Sequence, residues 1–349
     1  MKNSCRVIGY DLVRTMAIFM VVAIHSNVIY LESNQGNIGW IIVMEMTALC
    51  LMSVPLFFMI SGALLLDCNQ EVGICELFSK RLPKQFIPFI LWSLIYVFSR
   101  IAMGRVPLSI QPFIKLLYEP AYYQFWFMYT LLGIYLLLPI LQVLVRYLNQ
   151  KQMEYMLIIW FIFSVVIPGI SYFVKEFRIS EHIDLVLCEG YIGYFLLGFY
   201  LKKYRKNVTI RLSLFLSGLG IFITGVAAYL EWLFCVNFEK KYFGYVYQVY
   251  LLPGVVITVI GIFLICQKMD ISHSNIFSKA IIKMSELSIG VFYVHMLILI
   301  VLERIGLSGE KSIFILTMKT VLIYVMSLLV SYIISGLPVL RSALLGKRN

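Results

Sequence analysis

The sequence predicts an all-α integral membrane protein, a bundle of about ten transmembrane helices with both termini in the cytoplasm. Of its 349 residues, 61% are hydrophobic and only 13% are charged, whereas about a quarter are charged in an ordinary globular domain. The apolar residues form runs of roughly 20, which is the length that crosses the hydrocarbon core. Short basic clusters separate these runs, as the positive-inside rule expects.

Ten spans follow from these runs. The first run, 7–30, is too long for a signal peptide and lacks a small-residue cleavage site, so we interpret it as a retained helix. The second span holds Pro55, Ser61 and Gly62, which favour a kink. With no internal repeat or soluble appendage, residues 1–349 are predicted to form a single membrane domain. The spans lie near 9–31, 38–66, 85–103, 122–145, 155–174, 187–201, 210–231, 243–266, 284–302 and 313–338.

The net charge of +11 would suit a nucleic-acid partner, but the basic residues concentrate in the connections that become cytoplasmic when the N-terminus is inside. We therefore expect no nucleic-acid binding. The loop at 100–115 is an exception to the positive-inside rule, because it carries basic residues on the predicted outer side. The seven cysteines contain no C-x-x-C pair, so no metal site is expected. A disulfide between Cys188 and Cys235 remains open, and the acidic cluster at 181–189 is interpreted as a solvated loop rather than a metal or glycan site.

The first helix carries the densest chemical signal. Arg14 and His25 are eleven residues apart, which is three helical turns plus about 20°, so they share one face about 16 Å apart. Asp11 lies three residues before Arg14, within salt-bridge reach, and we assign it as the structural partner of that arginine. Charged side chains are costly in lipid and persist where they face a cavity or a partner. The alternative is that Asp11 and Arg14 only anchor the helix and that His25 is a buried, hydrogen-bonded histidine.

Further motifs follow in a specific order: F-F-M-I-S-G-A-L-L-L at 57–66, K-R-L-P-K-Q-F-I-P-F at 80–89, F-W-F-M-Y-T-L-L-G-I-Y-L-L-L-P-I at 125–140, G-Y-F-L-L-G-F-Y-L at 193–201 and S-I-G-V-F-Y-V-H at 288–295. With Arg14 and His25 in the first helix, they resemble the acyltransferase-3 family of membrane acyltransferases over nearly the whole chain. Lys84 departs from the arginine of many relatives, which keeps the charge but loses a bidentate phosphate contact.

The resemblance implies a ten-helix protein of the bacterial cytoplasmic membrane. Such a protein takes an acyl group, commonly acetyl, from cytoplasmic acyl-CoA and passes it to a hydroxyl of a cell-surface or lipid-linked glycan. It also implies that His25 is catalytic and that Arg14 engages the acyl donor. Imidazole suits either a general base or an acylated nucleophile, and the sequence leaves both open.

Three basic residues at the start of the third helix are candidates for binding the phosphates of acetyl-CoA or another acyl-CoA. They lie on the predicted cytoplasmic side, where basic residues also serve simply to anchor a membrane helix. The three residues are Lys80, Arg81 and Lys84. Phosphate binding and membrane anchoring explain them equally well.

The acceptor side has three candidates. Glu45 lies at a depth like that of His25 and is a candidate catalytic residue that orients the imidazole, with a carboxylate at the membrane interface as the alternative. Trp126 is a candidate for stacking on a sugar, although an interfacial aromatic belt explains it equally well. His295 is a candidate substrate-binding residue, with a structural hydrogen bond as the alternative.

Two other functions compete with acyl transfer. Ten helices with charged membrane residues also suit a transporter or exporter of glycan intermediates. The membrane half of a fused serine racemase ranks lower, because no soluble domain follows the last span. The expected partners of an acyltransferase are acyl-CoA, a glycan or lipid-linked sugar acceptor and membrane lipids. Homo-oligomer formation is left open.

Overall fold

The computed structural model describes residues 6–33, 38–67, 71–173, 190–237, 250–269, 275–307 and 312–347, with side chains given outside 171–173 and 234–237. Every regular element in these ranges is helical, which confirms the all-α class. The acidic cluster at 181–189 and both cysteines of the candidate disulfide lie outside the residues or side chains described.

The helices follow one another with short connections. They are α1 Ile8–Ser33, α2 Ile38–Cys50, α3 Ser53–Leu65, α4 Ile74–Glu76, α5 Leu82–Ala102, α6 Gln111–Lys115, α7 Trp126–Tyr147, α8 Gln150–Phe161, α9 Ile167–Phe173, α10 Ile192–Tyr204, α11 Ile210–Asn237, α12 Pro253–Cys266, α13 Ile276–Arg304, α14 Ile313–Gly336 and α15 Pro338–Leu345. Two π-helical turns, Leu77–Arg81 and Ile162–Val166, and a 3₁₀ turn, Tyr123–Phe125, interrupt the α-helices.

Eight helical stretches in the described residues are long and apolar enough to cross a membrane, which confirms a polytopic bundle. The sixth and eighth predicted spans correspond to α10 and α12, which have 13 and 14 residues and are shorter than the others. Ten residues of α10, 192–201, are all buried. A helix that is apolar on every side belongs in the centre of a bundle, where α10 packs mainly against α3.

The second predicted span is broken into α2 and α3 at Leu51 and Met52. Pro55 explains the break, because proline lacks the N–H that would bond to the carbonyl four residues earlier, at Leu51. The predicted kink is therefore present, just before the proline.

The α3–α10 contact depends on two glycines. A Cβ at Gly62 would lie 1.7 Å from the carbonyl oxygen of Phe195, and a Cβ at Gly198 would lie 2.0 Å from that of Met59. The two backbones therefore touch, as small residues allow at helix crossings in membranes. The Ser-Gly pair at 61–62 and the glycine at 198 are thus two sides of one packing contact.

We expect Gly62→Ala to destabilise the protein by at least about 1–3 kcal/mol, because backbone rather than a movable side chain opposes the added methyl group. The measurement is the thermal midpoint of purified protein, with recovery of the monodisperse peak as a second readout. Gly133→Ala is the matched control, since no atom lies within 4 Å of its ideal Cβ. Equal midpoints for the two variants would contradict the close packing of α3 and α10.

The C-terminal helix returns to the start of α5. Trp92 donates its indole N–H to the carbonyl oxygen of Leu344 at 3.0 Å. Gly346 adopts a φ of +65°, and a Cβ there would lie 1.9 Å from the carbonyl oxygen of Lys84. Only glycine suits both the positive φ and the close approach to Lys84. This contact brings residues 345–347 beside the N-terminal half of α5.

Candidate functional site

A cavity of about 360 Å³ lies among α1, α3, α5, α7, α13 and the C-terminal segment. Its volume lies within the range of small-molecule sites. Charged groups line one end and aromatic groups line the other. The wall includes Arg14, Ile18, Val21, His25, Phe57, Ser61, Lys84, Gln85, Gln124, Trp126, Phe127, Tyr135, Tyr250, Ser285, Glu286, Phe292 and Lys347.

Helix α1 contributes one continuous stripe to this wall. Arg14, Ile18, Val21 and His25 are spaced by four, three and four residues, the spacing of one helical face. The predicted shared face of Arg14 and His25 is therefore present, and both side chains line the same cavity. At 1.5 Å per residue, they are about 16 Å apart along the axis.

The predicted pairing of Asp11 with Arg14 is wrong. Asp11 binds Arg6, whose Nε and Nη2 donate to the two carboxylate oxygens at 2.7 and 2.9 Å. The hydroxyl of Ser285 on α13 donates to the same carboxylate at 2.7 Å. A bidentate arginine contact is stronger than a single ion pair, so Arg6 outcompetes Arg14. Asp11 is thus a structural partner of Arg6, and it ties α1 to α13.

Arg14 is consequently left with its charge uncompensated by direct contact. Within the described ranges, no hydrogen bond or salt bridge reaches its guanidinium group, although it lines the cavity. Arg6, by contrast, also donates to Glu286 at 3.0 Å, and its two carboxylate partners raise its pKa. A buried cation without a partner is costly unless an anion joins it, so this end of the cavity suits an anionic ligand.

At the other end of the stripe, His25 stands among aromatic rings. Its ring centroid lies 5.1 Å from that of Tyr123 and 5.3 Å from that of His295, with which it stacks at 30°. No hydrogen bond to either ring nitrogen of His25 occurs among the residues that the structure describes. The imidazole is therefore free to exchange a proton with a molecule in the cavity.

His295 lies behind His25 rather than on the cavity wall. Its Nδ1 is 3.0 Å from the carbonyl oxygen of Val291. Because a carbonyl only accepts, Nδ1 carries the proton and donates it. Its Nε2 is buried and has no partner in the described residues. The structural hydrogen bond that was the alternative for this residue is present, and the ring packs against that of His25. Substrate binding by His295 stays a prediction.

The three basic residues predicted to bind phosphate separate in the structure. Lys84 lines the cavity at the Arg14 end. Arg81 instead pairs with Glu76 at 3.2 Å, and Lys80 is exposed and absent from the cavity wall. Lys80 and Arg81 belong to the π-helical turn at 77–81, whereas Lys84 belongs to α5.

Lys347 completes this charged end. It lines the cavity and donates to the backbone oxygen of Glu286. Burial lowers the pKa of Lys347 below its ordinary value, and neighbouring cations act in the same direction against the attraction of Glu286. Sequence reasoning missed this residue, because only the return of α15 to α5 brings it to the cavity.

Trp126 lines the cavity as expected, towards its aromatic end. Its ring lies 5.2 Å from that of Tyr191 and 5.5 Å from that of Tyr250, so three aromatic groups pack side by side. Tyr250 and Gln124 also line the cavity and were missed. The local signal for Gln124 is its position as an isolated polar residue in the aromatic run Y-Y-Q-F-W-F.

The prediction for Glu45 is corrected. Its carboxylate lies against α11, with one oxygen 3.1 Å from the ideal Cβ position of Gly225, and Glu45 is absent from the cavity wall. The physical reason is rotation about the helix axis, because similar depth does not place two side chains on facing sides. Glu45 therefore does not orient the imidazole in this structure.

The cavity thus combines cationic side chains with a titratable imidazole that lies about 16 Å from Arg14 along the axis of α1. In comparisons with known proteins, a family model described as an acyltransferase domain, that of the acyltransferase-3 family, matches residues 7–336. No curated protein and no solved structure matches the chain.

Proposed function

Because this chain belongs to the acyltransferase-3 family and is a membrane acyltransferase, we propose that it moves an acetyl group from cytoplasmic acyl-CoA to a hydroxyl of a cell-surface or lipid-linked glycan. The observation that carries the proposal is the shared cavity of Arg14 and His25, with Arg14 unpaired within the described ranges. We place the protein in the bacterial cytoplasmic membrane, with the Arg14 end of the cavity facing the cytoplasm.

The charged end suits the anionic donor. Lys84, Lys347 and Arg14 all line the cavity and supply three cationic side chains. A cavity of about 360 Å³ is too small for a whole coenzyme A, so the nucleotide stays at the mouth with Lys84 and Lys347 while the thioester arm enters. Arg14 then meets the arm on its way to His25.

The choice of acetyl rests on the other end. The cavity residues near His25 are aromatic or neutral, and the cationic wall residues belong to the Arg14 end. A succinyl group would bring a free carboxylate into surroundings that supply no cation, which is unfavourable. A small neutral acyl group has no such cost.

His25 supplies the proton transfer. As general base, its imidazole takes the proton of the acceptor hydroxyl while that oxygen attacks the thioester carbonyl carbon. The carbon–oxygen bond forms, the carbon–sulfur bond breaks, and the imidazolium returns the proton to the departing thiolate. A covalent route, in which the imidazole is first acylated and then attacked by the hydroxyl, balances equally.

The central experiment compares surface glycans, by mass spectrometry, from cells with and without the intact gene. Acetyl esters that disappear with the gene support the proposal, whereas identical glycans contradict it. Membranes containing the protein are also incubated with labelled acetyl-CoA. Acceptor-dependent consumption of the thioester distinguishes an acyltransferase from the alternative, a transporter of glycan intermediates.

The affinity for acetyl-CoA is expected to fall as pH rises. Because the pKa of Lys347 is lowered, its ammonium loses its proton, and its attraction for phosphate, at a lower pH than an ordinary lysine. The KM for acetyl-CoA should therefore rise with pH in the wild type and stay level in Lys347→Arg.

Lys203→Arg is the control, because this lysine lies over the rings of Phe199 and Tyr204 and away from the cavity. It should keep the wild-type pH profile. A profile that Lys347→Arg leaves unchanged would remove Lys347 from the donor site.

A further inference from the structure

The side chain of Gln124 is buried and lines the cavity. It stands in the 3₁₀ turn Tyr123–Phe125 that precedes α7, and only 2% of its surface is exposed. Neither its amide oxygen nor its amide nitrogen makes a hydrogen bond within the described residues. Leaving such groups unpaired costs about 1–3 kcal/mol each, and buried polar groups in proteins are almost always paired.

The same protein shows how it satisfies a structural glutamine. Gln142, on α7, is 4% exposed, and its amide nitrogen donates to the carbonyl oxygen of Leu65 at 2.7 Å while its oxygen accepts from the N–H of Val72 at 2.7 Å. The hydroxyl of Tyr96, which lies beside Gln124, donates its proton to the carbonyl oxygen of Tyr293 at 2.8 Å. Within the described residues, the amide of Gln124 makes no pair of internal hydrogen bonds like that of Gln142.

The surroundings of Gln124 indicate the chemistry of its partner. Trp126 and Tyr250 line the same cavity with their rings 5.5 Å apart and tilted by 35°, and His25 lines it from the α1 side. Aromatic faces pack on the apolar faces of sugar rings. An amide presents one acceptor and two N–H donors, and neighbouring sugar hydroxyls both donate and accept. A thioester carbonyl would satisfy only the nitrogen, whereas a sugar satisfies both ends.

We propose that Gln124 binds the acceptor sugar, its amide pairing with hydroxyls beside the one that is acylated. The proposal rests on the acyl-transfer function above and adds a specificity-determining residue to it. The glutamine holds the ring against Trp126 and Tyr250, which places one hydroxyl at the imidazole of His25.

Gln124→Met tests this role, because methionine keeps the length of the side chain and removes both hydrogen-bonding groups. The acceptor used is surface glycan extracted from cells lacking the gene, and the donor is labelled acetyl-CoA. We expect the KM for the glycan to rise about tenfold or more, as the loss of two hydrogen bonds implies. The thermal midpoint of the purified protein should stay level or rise by about 2 °C.

Gln142→Met is the matched control, since its amide bonds are internal; it should lower the thermal midpoint. A lower midpoint in Gln124→Met would show a structural amide and overturn the proposal. An unchanged KM for the glycan would also overturn it, as would a rise confined to the KM for acetyl-CoA. If the wild type itself acetylates none of the extracted glycan, the proposed function fails, and this result is separate from the comparison of midpoints.

Discussion

Replacing His25 with alanine is expected to lower acetyl transfer by about a thousandfold while the protein still folds and inserts. A positioned general base contributes roughly 10²–10⁴ to the rate, and the cavity holds no second unpaired imidazole on its wall among the described residues. His295 packs behind the ring, and its Nδ1 is engaged by Val291. The loss should appear in kcat, with the KM for acetyl-CoA nearly unchanged, because the donor is held at the Arg14 end.

The matched control is Asn27→Ala, two residues further along α1. Asn27 faces α2, where its amide donates to the hydroxyl of Thr47 at 2.8 Å. Loss of this hydrogen bond should lower the thermal midpoint but leave acetyl transfer unchanged. Purified variants are compared by size-exclusion profile, thermal midpoint and transfer of labelled acetyl. Full activity in His25→Ala, with normal folding, would refute a catalytic role for this residue.

Replacing Arg14 with methionine is expected to raise the KM for acetyl-CoA about a hundredfold, which corresponds to a lost charged hydrogen bond of about 3 kcal/mol. Because Arg14 makes no ion pair in the described structure, the variant should be at least as stable as the wild type. Weaker binding of acetyl-CoA together with undiminished stability would indicate that Arg14 binds the donor and does not stabilise the fold.

Asp11→Asn provides the contrast. It weakens the contacts to Arg6 and Ser285 that join α1 to α13, so it should lower the thermal midpoint. Binding of acetyl-CoA is measured directly by calorimetry on both variants in the same lipid nanodiscs. Unchanged affinity in Arg14→Met, or destabilisation as large as that of Asp11→Asn, would assign Arg14 to the fold instead.

Helical periodicity was enough to predict the central feature of the site. Spacings of four, three and four residues from Arg14 to His25 define one face whatever the neighbouring helices do. The partner of Asp11 was not predictable in this way. Sequence spacing favoured Arg14 as the partner of Asp11. Arg6 lies before the first residue of α1, so the direction of its side chain depends on how the chain enters that helix. The hydroxyl of Ser285 comes from a helix more than 270 residues away in sequence.

By itself, the sequence determined the membrane, the helices and the family, because apolar length, basic clusters and ordered motifs are properties of the chain alone. Only the tertiary structure decided which side chains meet. It removed Glu45 from the site, separated Lys84 from Lys80 and Arg81, and brought Gln124, Tyr250 and Lys347 to the cavity. Contacts between helices depend on rotation and crossing, which are set by close packing such as that of Gly62 on α10 and leave no periodic trace in the sequence.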